Sequence, residues 1–304
     1  MRDLDLTTLR LFIATAELGS VTRAAERMHL APAAASRRIQ ELEAQFGLAL
    51  FQRLPHGMAL TEAGRTMLVH ARSITHTVVR MQDDAASFRH GDKGVVRLAA
   101  PKSAVIQFLP RDIERCAAAC PGVRIDLQEM NSQIVQQALT RGSVDLGIYE
   151  ASLGSIDLPT RPYRSDRLVL VVASGHPLAG RAEVELEDIL AWDVIGLTEG
   201  SAISIALERQ AAEAGLLLRM RMRLGGFDSM AALIAQGTGV GVMPQSVAEA
   251  VAGDARLVRL PIRGDWAQRR FVLCHLPEDR LSQAARSVLA VLSDTQNANP
   301  DVTH

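Results

Sequence analysis

The N-terminal part of the chain repeats apolar positions at helical spacing, with short breaks between the repeats. Apolar residues three and four positions apart predict a first helix, and these are Leu9, Phe12, Ile13 and Ala16. Gly19 ends that helix, and Ser20 can cap a second helix that is rich in alanine. Pro32 stands where a third helix can begin.

The third helix divides its residues between a buried stripe and an outward face. Positions i, i+4 and i+7 form the stripe, namely Ala35, Ile39 and Leu42. Small residues at a helix crossing let the two backbones approach closely, which is the packing of a helix-turn-helix unit. We therefore expect the alanines to form the crossing and Arg37 and Arg38 to form the exposed face.

A short hairpin is predicted after the third helix. In LFQRLPHGMALTEAG, Pro55 and Gly57 make a turn between two short apolar runs. This pattern predicts a winged hairpin, and Thr61 can cap the helix that follows it.

One long helix is predicted over residues 61–88, where no proline occurs and the only glycine is Gly64. Seven of its residues follow the spacing of a heptad seam, and they are Met67, Ala71, Ile74, Val78, Met81, Ala85 and Phe88. The seam predicts that the helix pairs with a copy of itself. The alternative is an amphipathic helix that packs on its own domain.

Beyond the linker-like stretch FRHGDKGVV, runs rich in Val, Ile and Leu alternate with helical patterns. The runs are VVRLAA, VRIDLQEM, VDLGIY, LVLVVAS, DVIGL, RMRMRL, VGVMP and RRFVLCHL. Such alternation indicates an α/β region with a mostly parallel sheet or sheets.

Composition narrows the class of protein. A chain of 304 residues has room for two or three domains, and its three scattered cysteines are typical of a reducing compartment. The N-terminus lacks an apolar signal region, and no run approaches the ~18 apolar residues of a membrane span. We expect a cytoplasmic protein with no membrane segment. The net charge of −1 means that any DNA contact must be local.

The usual signatures of catalysis, cofactor binding and metal binding are missing from the sequence. No Gly-x-Ser-x-Gly, Gly-x-x-x-x-Gly-Lys or His-Glu-x-x-His occurs. Cys116 and Cys120 have no partner at metal-ligand spacing, so we expect them to pack structurally. The glycines of GTGVG precede a strand instead of following one, which argues against a dinucleotide loop. We expect no enzyme, no cofactor and no metal site.

Several segments, taken in order, resemble one family. LRLFIATAELGSVTRAAERMHL, SRRIQELEAQFGLALFQR and LTEAG resemble the N-terminal signature of LysR-type transcriptional regulators. FLP, CPGVRIDL, RGSVDLGI, GHPLA and GVGVMP are similar, in order, to the effector-binding domain of that family.

The resemblance implies a winged helix-turn-helix at residues 1–60, a linker and dimerisation helix at 61–90, and a two-lobed effector-binding domain at 91–296 like a periplasmic binding protein. The chain is expected to cross between lobes near residues 162–166 and 262–268. Lobe I then covers about 94–163 and 268–296, lobe II covers about 164–267, and 297–304 form a disordered tail.

The resemblance also implies a set of DNA-binding residues, which are Ser20, Thr22, Pro32, Ala33, Ser36, Arg37, Arg38, Arg53 and His56. Two departures from the usual pattern of the family affect which operator sequence the protein can recognise. Family members usually open the recognition helix with Ser-Gln-Pro, where this chain has Ala31, Pro32 and Ala33, so the glutamine that could read a base edge is missing. The wing often presents an arginine where this chain has His56.

The effector site is expected between the lobes, outside the carboxyl ends of the strands. The resemblance places Ser103 and Ser132 in this cleft, Lys102 lies beside Ser103, and Thr198 and Ser201 follow DVIGL in the opposite lobe. A cation with hydroxyls from both lobes suits a small carboxylate-bearing effector. In the alternative interpretation, Lys102 is solvated and the hydroxyls cap helices.

The expected partners are double-stranded DNA with an imperfect inverted repeat, a small-molecule effector and further copies of the chain in a dimer or tetramer, with RNA polymerase as a further candidate. The alternative function is a cytoplasmic solute-binding or sensor protein whose N-terminal helices mediate protein interaction.

Overall fold

The computed structural model describes residues 4–54, 57–90, 94–251 and 255–294. Two compact units are present, one of residues 1–90 and 141–143 and one of residues 91–140 and 144–304. The described α-helices are α1 (Leu6–Leu18), α2 (Val21–Arg27), α3 (Pro32–Phe46), α4 (Glu62–His90), α5 (Lys102–Gln107), α6 (Leu109–Ala119), α7 (Ser132–Thr140), α8 (Leu186–Leu190), α9 (Ala202–Glu213), α10 (Phe227–Ala235), α11 (Gln245–Val251) and α12 (Gln283–Ser293). The described strands are β1 (Phe51–Leu54), β2 (Gly57–Leu60), β3 (Gly94–Ala100), β4 (Val123–Glu129), β5 (Leu146–Glu150), β6 (Thr160–Ala173), β7 (Val194–Leu197), β8 (Met220–Leu224), β9 (Gly241–Pro244), β10 (Leu257–Pro261) and β11 (Gln268–His275).

The first unit packs α1, α2, α3 and the first part of α4 around one core and carries a two-stranded hairpin. Ala24, Ala25 and Ala35 are fully buried where α1, α2 and α3 meet, which confirms that small residues form the crossing. Strands β1 and β2 pair antiparallel, as predicted for a wing. Pro55 and His56, between these strands, lie outside the described residues.

Local hydrogen bonds explain where the helices of the first unit begin. The Ser20 hydroxyl accepts from the Arg23 N–H at 3.3 Å, and the Thr61 hydroxyl accepts from the Gly64 N–H at 2.9 Å. Both predicted caps are confirmed. Gly64 must be glycine, because a Cβ there would lie 2.0 Å from the carbonyl oxygen of Leu50.

A mixed, curled sheet organises the second unit. Seven strands take part in the order β10-β6-β11-β5-β3-β4, and β9 also pairs with β6. Strand β3 runs parallel to β4 and β5, whereas β11 and β6 pair antiparallel with all their partners. The prediction of a mostly parallel sheet or sheets is wrong for this sheet, because β6 and β11 carry the chain between the lobes without a crossover helix. It holds for β7 and β8, which form a separate two-stranded parallel sheet.

Strand β6 belongs to two lobes. Up to Arg167 it pairs with β11, and from Leu168 onward it pairs with β9 and β10. We call the part with β3–β5 and α5–α7 lobe I, and the part with β7–β10 and α8–α11 lobe II. Each lobe has its own hydrophobic core.

Candidate DNA-recognition helix and inter-lobe cavity

The outward face of α3 is exposed as predicted. Ala35, Ile39 and Leu42 are buried in the core of the first unit, while Ser36 and Arg37 face solvent. The Arg37 side chain is 80% exposed and makes an ion pair with Glu41 at 2.8 Å, one turn further along the helix. The guanidinium of Arg37 is therefore accessible from solvent.

Arg38 is arranged differently from its neighbour. Its guanidinium donates to the Asp5 carboxylate and to the Thr8 hydroxyl, both at 3.0 Å. Asp5 also caps α1, since it accepts from the Thr8 N–H at 2.9 Å. The expectation that both arginines point away from the protein is thus wrong for Arg38, because this side chain is held against α1.

The remaining predicted DNA-binding residues are spread over three elements. Pro32 is the first residue of α3, and Ala33, Thr22 and Arg53 are exposed. Ser20 uses its hydroxyl as the cap of α2. His56 lies outside the described residues.

The predicted seam of α4 is only partly exposed. Ala71 is 2% exposed and lies in the core of the first unit, so this position packs on its own domain. Ile74 and Met81 are exposed, with 42% and 64% of their surfaces accessible, and Val78 is half-buried. Met67 packs against the core of the first unit, Ala85 is exposed, and the side chain of Phe88 lies outside the description.

The five predicted effector residues all line one cavity between the lobes, and we call it the inter-lobe cavity. Its volume is about 130 Å³. Lobe I contributes Lys102, Ser103 and Ser132, and lobe II contributes Thr198 and Ser201. The structure therefore brings together residues that are almost 100 positions apart in the sequence.

Four helices begin at the wall of this cavity, namely α5 and α7 from lobe I and α9 and α10 from lobe II. The first N–H groups of a helix have no partner within it, and they carry the positive end of the helix dipole. No capping side chain occupies the starts of α5, α9 or α10, whereas Asn131 caps α7 by accepting from the Ile134 N–H at 2.9 Å. The cavity wall is thus rich in uncapped backbone donors.

The polar side chains of the cavity differ in what they already bind. Ser132 is buried, and its hydroxyl accepts from the Glu150 N–H at 3.2 Å. Within the described part of the chain, no side-chain hydrogen bond occupies the hydroxyls of Ser103, Thr198 or Ser201. These three hydroxyls are free to bind a ligand.

Lys102 links the two lobes across the cavity. Its ammonium group donates to the carbonyl oxygen of Gly225 in lobe II at 2.8 Å and pairs with Glu129 in lobe I at 3.1 Å. Sequence reasoning missed Glu129, although its position at the carboxyl end of β4 was a usable signal. The interpretation of Lys102 as a merely solvated cation is wrong.

Sequence reasoning also missed a network of polar side chains at β6 and β11, the strands that carry the polypeptide between the lobes. Arg269 and Asp166 form an ion pair whose side chains are 4% and 6% exposed, and Arg269 lines the inter-lobe cavity. Gln107 in lobe I donates to Asp166 at 2.8 Å and accepts from the Ser246 hydroxyl in lobe II at 2.5 Å. Arg269 is held by a buried carboxylate and Lys102 by the half-exposed carboxylate of Glu129, so of these two cations Lys102 is the one whose partner a ligand can replace more easily.

Among the described residues, no cluster of His, Cys, Asp and Glu has the geometry to hold a metal ion. The same residues include no helix that is both long and apolar enough to cross a membrane.

Both units match known protein families. Residues 6–65 match the bacterial regulatory helix-turn-helix protein of the lysR family, and residues 89–297 match the LysR substrate binding domain. The RuBisCO operon transcriptional regulator of Allochromatium vinosum is 30% identical over 281 residues, which are 92% of this chain and 93% of the relative.

Solved structures share the fold of this chain. Full-length CbnR complexed with its target DNA is 21% identical, has a TM-score of 0.59 and is matched over 96% of this chain and 99% of that one. The regulatory domain of Synechocystis CcmR, in complex with 2-PG, is 24% identical and has a TM-score of 0.61 over 67% of this chain and 98% of that one.

Proposed function

Because this chain belongs to the LysR family of transcriptional regulators, we propose that a small carboxylate-bearing effector binds in the inter-lobe cavity and controls how the protein binds DNA. The chain is a DNA-binding regulator with an effector-binding domain. Its relatives are named as regulators, so it is not an enzyme. A DNA-binding regulator works where the DNA is, so the proposal assigns the protein to the cytoplasm.

The convergence of four helix starts on one cavity is the observation that carries the effector proposal. Uncapped N–H groups and aligned dipoles favour negative charge at a helix start. Here they come from both lobes, so an anion between the lobes would interact with both at once. Such a ligand stabilises the arrangement in which the lobes are closest.

Lys102 adds a charge-assisted donor to these backbone groups. Glu129 now pairs with this ammonium group and is itself 46% exposed, so its carboxylate can turn to solvent when another acceptor arrives. A ligand carboxylate would replace Glu129 as the partner of Lys102, while the hydroxyls of Ser103, Thr198 and Ser201 bind the rest of the molecule. The small volume of about 130 Å³ favours a compact metabolite.

On the DNA side, the proposal places α3 in the major groove with Ser36 and Arg37 at the base edges and Arg53 on phosphate. The exposed α4 residues Ile74 and Met81, with the half-buried Val78 between them, form the seam of a symmetric dimer. Two copies of α3 then meet two half-sites, so the operator contains an imperfect inverted repeat.

A thermal-shift screen of the full-length protein tests the effector proposal. The panel contains small organic acids, their amides as uncharged controls, and the 2-PG that was solved with CcmR. A ligand that binds only the folded state raises its melting temperature. We expect at least one acid to stabilise the protein while its amide does not. Stabilisation by amides alone would contradict the carboxylate assignment.

A further inference from the structure

The outward face of α3 carries a carboxylate beside the groups assigned to DNA. Glu41 lies one helical turn after Arg37, and 47% of its side chain is exposed. A residue at i+4 shares the face of residue i, so Glu41 faces whatever Arg37 faces. A surface that meets phosphates therefore contains a negative charge.

The neighbouring carboxylate Glu43 has a structural task that Glu41 lacks. Glu43 accepts from the N–H groups of Leu50 and Phe51, at 2.7 and 3.0 Å, and so fixes the start of the wing to α3. Within the described residues, Arg37 is the one partner of Glu41. The fold would lose little if Glu41 were neutral.

Helix stability also fails to explain Glu41. A pair at i and i+4 stabilises a helix more when the acidic residue comes first, and here Arg37 comes first. Pairs this exposed contribute about 0–1 kcal/mol. The contact is therefore weak enough for Arg37 to exchange it for a contact with DNA.

On the basis of the DNA-binding role proposed above, we propose that Glu41 determines specificity by opposing contacts with the wrong DNA. Binding to non-cognate DNA is carried by neutralised phosphates, and a carboxylate on the binding face weakens it. At the correct site, Arg37 leaves Glu41 for the O6 and N7 atoms of a guanine, and Glu41 accepts from the N4 amino group of a cytosine. The pair thus reads guanine and cytosine within each half-site.

The test compares wild type with Glu41→Gln, and with Glu62→Gln as a control. Glu62 is an exposed glutamate in the first turn of α4, so its substitution makes the same change in net charge outside α3. Fluorescence anisotropy measures binding to the promoter fragment that the wild type protects from nuclease, and to a shuffled fragment of equal length, over a series of KCl concentrations.

For Glu41→Gln we expect tighter binding to the shuffled fragment and a salt dependence steeper by about one unit in log Kd against log salt. The ratio of the two affinities should fall about tenfold, with an unchanged melting temperature. The Glu62→Gln variant should retain the wild-type ratio.

Two results would overturn the role of Glu41. One is a Glu41→Gln variant with the wild-type salt dependence and affinity ratio, which leaves DNA binding itself intact. The other is weaker binding to both fragments, which would assign Glu41 to the fold. If the wild type binds both fragments equally well, the result contradicts the DNA-binding role proposed for α3, and not only the role of Glu41.

Discussion

The guanidinium of Arg38 lies 3.0 Å from the carboxylate of Asp5, so a residue of the recognition helix is held by the residue that caps the first helix. Burial raises the pKa of Asp5, but hydrogen bonds from Thr8 and the charge of Arg38 outweigh this, and the pKa is lowered overall. The adjacent Arg37 reaches out to solvent. Two consecutive arginines thus have separate tasks.

Substitution should separate the two arginines experimentally. Arg37→Ala should relax sequence preference and leave the urea midpoint of unfolding unchanged, because its side chain is exposed. Arg38→Ala should lower the free energy of unfolding by up to about 1 kcal/mol, because it removes a half-exposed contact with α1. Equal midpoints for the two variants would contradict this division.

The lowered pKa of Asp5 makes part of the stability depend on pH. A carboxyl group with a lowered pKa in the folded state stabilises the protein above its unfolded pKa, and this contribution is lost as the pH falls through the folded value. The wild type should therefore exceed Asp5→Asn in stability at pH 6, and the difference should shrink at pH 3. Urea unfolding at both pH values measures it, and a difference that grows on acidification would refute the sign.

Charge in the exposed part of the α4 seam should prevent dimerisation. Ile74→Glu places a carboxylate where two helices are expected to meet, and burying it unpaired is costly. Val69→Glu is the control, because Val69 is an exposed residue of the same helix outside the seam. Analytical ultracentrifugation should show a monomer for Ile74→Glu and an oligomer for Val69→Glu. A dimer for both variants would show that the dimer contact does not include Ile74.

Lys102 and Glu129 should have opposite effects on the effector. With the acid that stabilises the protein most, Lys102→Gln should weaken binding about tenfold, because a charge-assisted bond is lost. Glu129→Gln should strengthen it, because the competing carboxylate is gone. Calorimetric titration measures both, with Glu114→Gln on the exposed side of α6 as control. An unchanged affinity of Lys102→Gln for the acid would show that Lys102 does not bind the effector.

The cysteines should react unequally with a thiol reagent. Burial raises the pKa of Cys116 to about 11 and that of Cys274 to about 12, so their reactive thiolates are scarce at pH 8. Cys120 is partly exposed. Native protein should release one equivalent of thiol chromophore quickly, and denatured protein should release three. Rapid reaction of all three in the native state would contradict the burial of two.

Strong periodicity made the helices and most strands predictable from sequence. The N-terminal half of β6 was missed, because TRPYRSDR is polar and contains Pro162, and only its pairing with β11 makes it a strand. LVRLP, which forms β10, was missed because Arg259 interrupts its apolar run, and its pairing with β6 makes it a strand. Such segments gain their conformation from neighbours that are distant in sequence.

The inter-lobe cavity was predictable where residues follow the carboxyl ends of strands, as Lys102, Ser132 and Thr198 do. The contacts that the lining residues make with one another were not predictable. The contact of Lys102 with Gly225 joins a side chain to a backbone oxygen 123 positions away, and no local pattern records such a pair. The burial of Arg269 against Asp166 likewise depends on the register of two antiparallel strands.

The strand β6, which the two lobes share, limits the ways in which effector specificity can change during evolution. Because β6 pairs with β11 in one half and with β9 and β10 in the other, lobe II is an insertion in lobe I whose two junctions both lie in or beside paired strands. A single recombination event between two such genes would join a lobe to the wrong partner strand. Replacing lobe II requires a double exchange that keeps the side chains of β6 on their original faces of the sheet. We therefore expect the inter-lobe cavity to evolve by point substitution of the residues that line it.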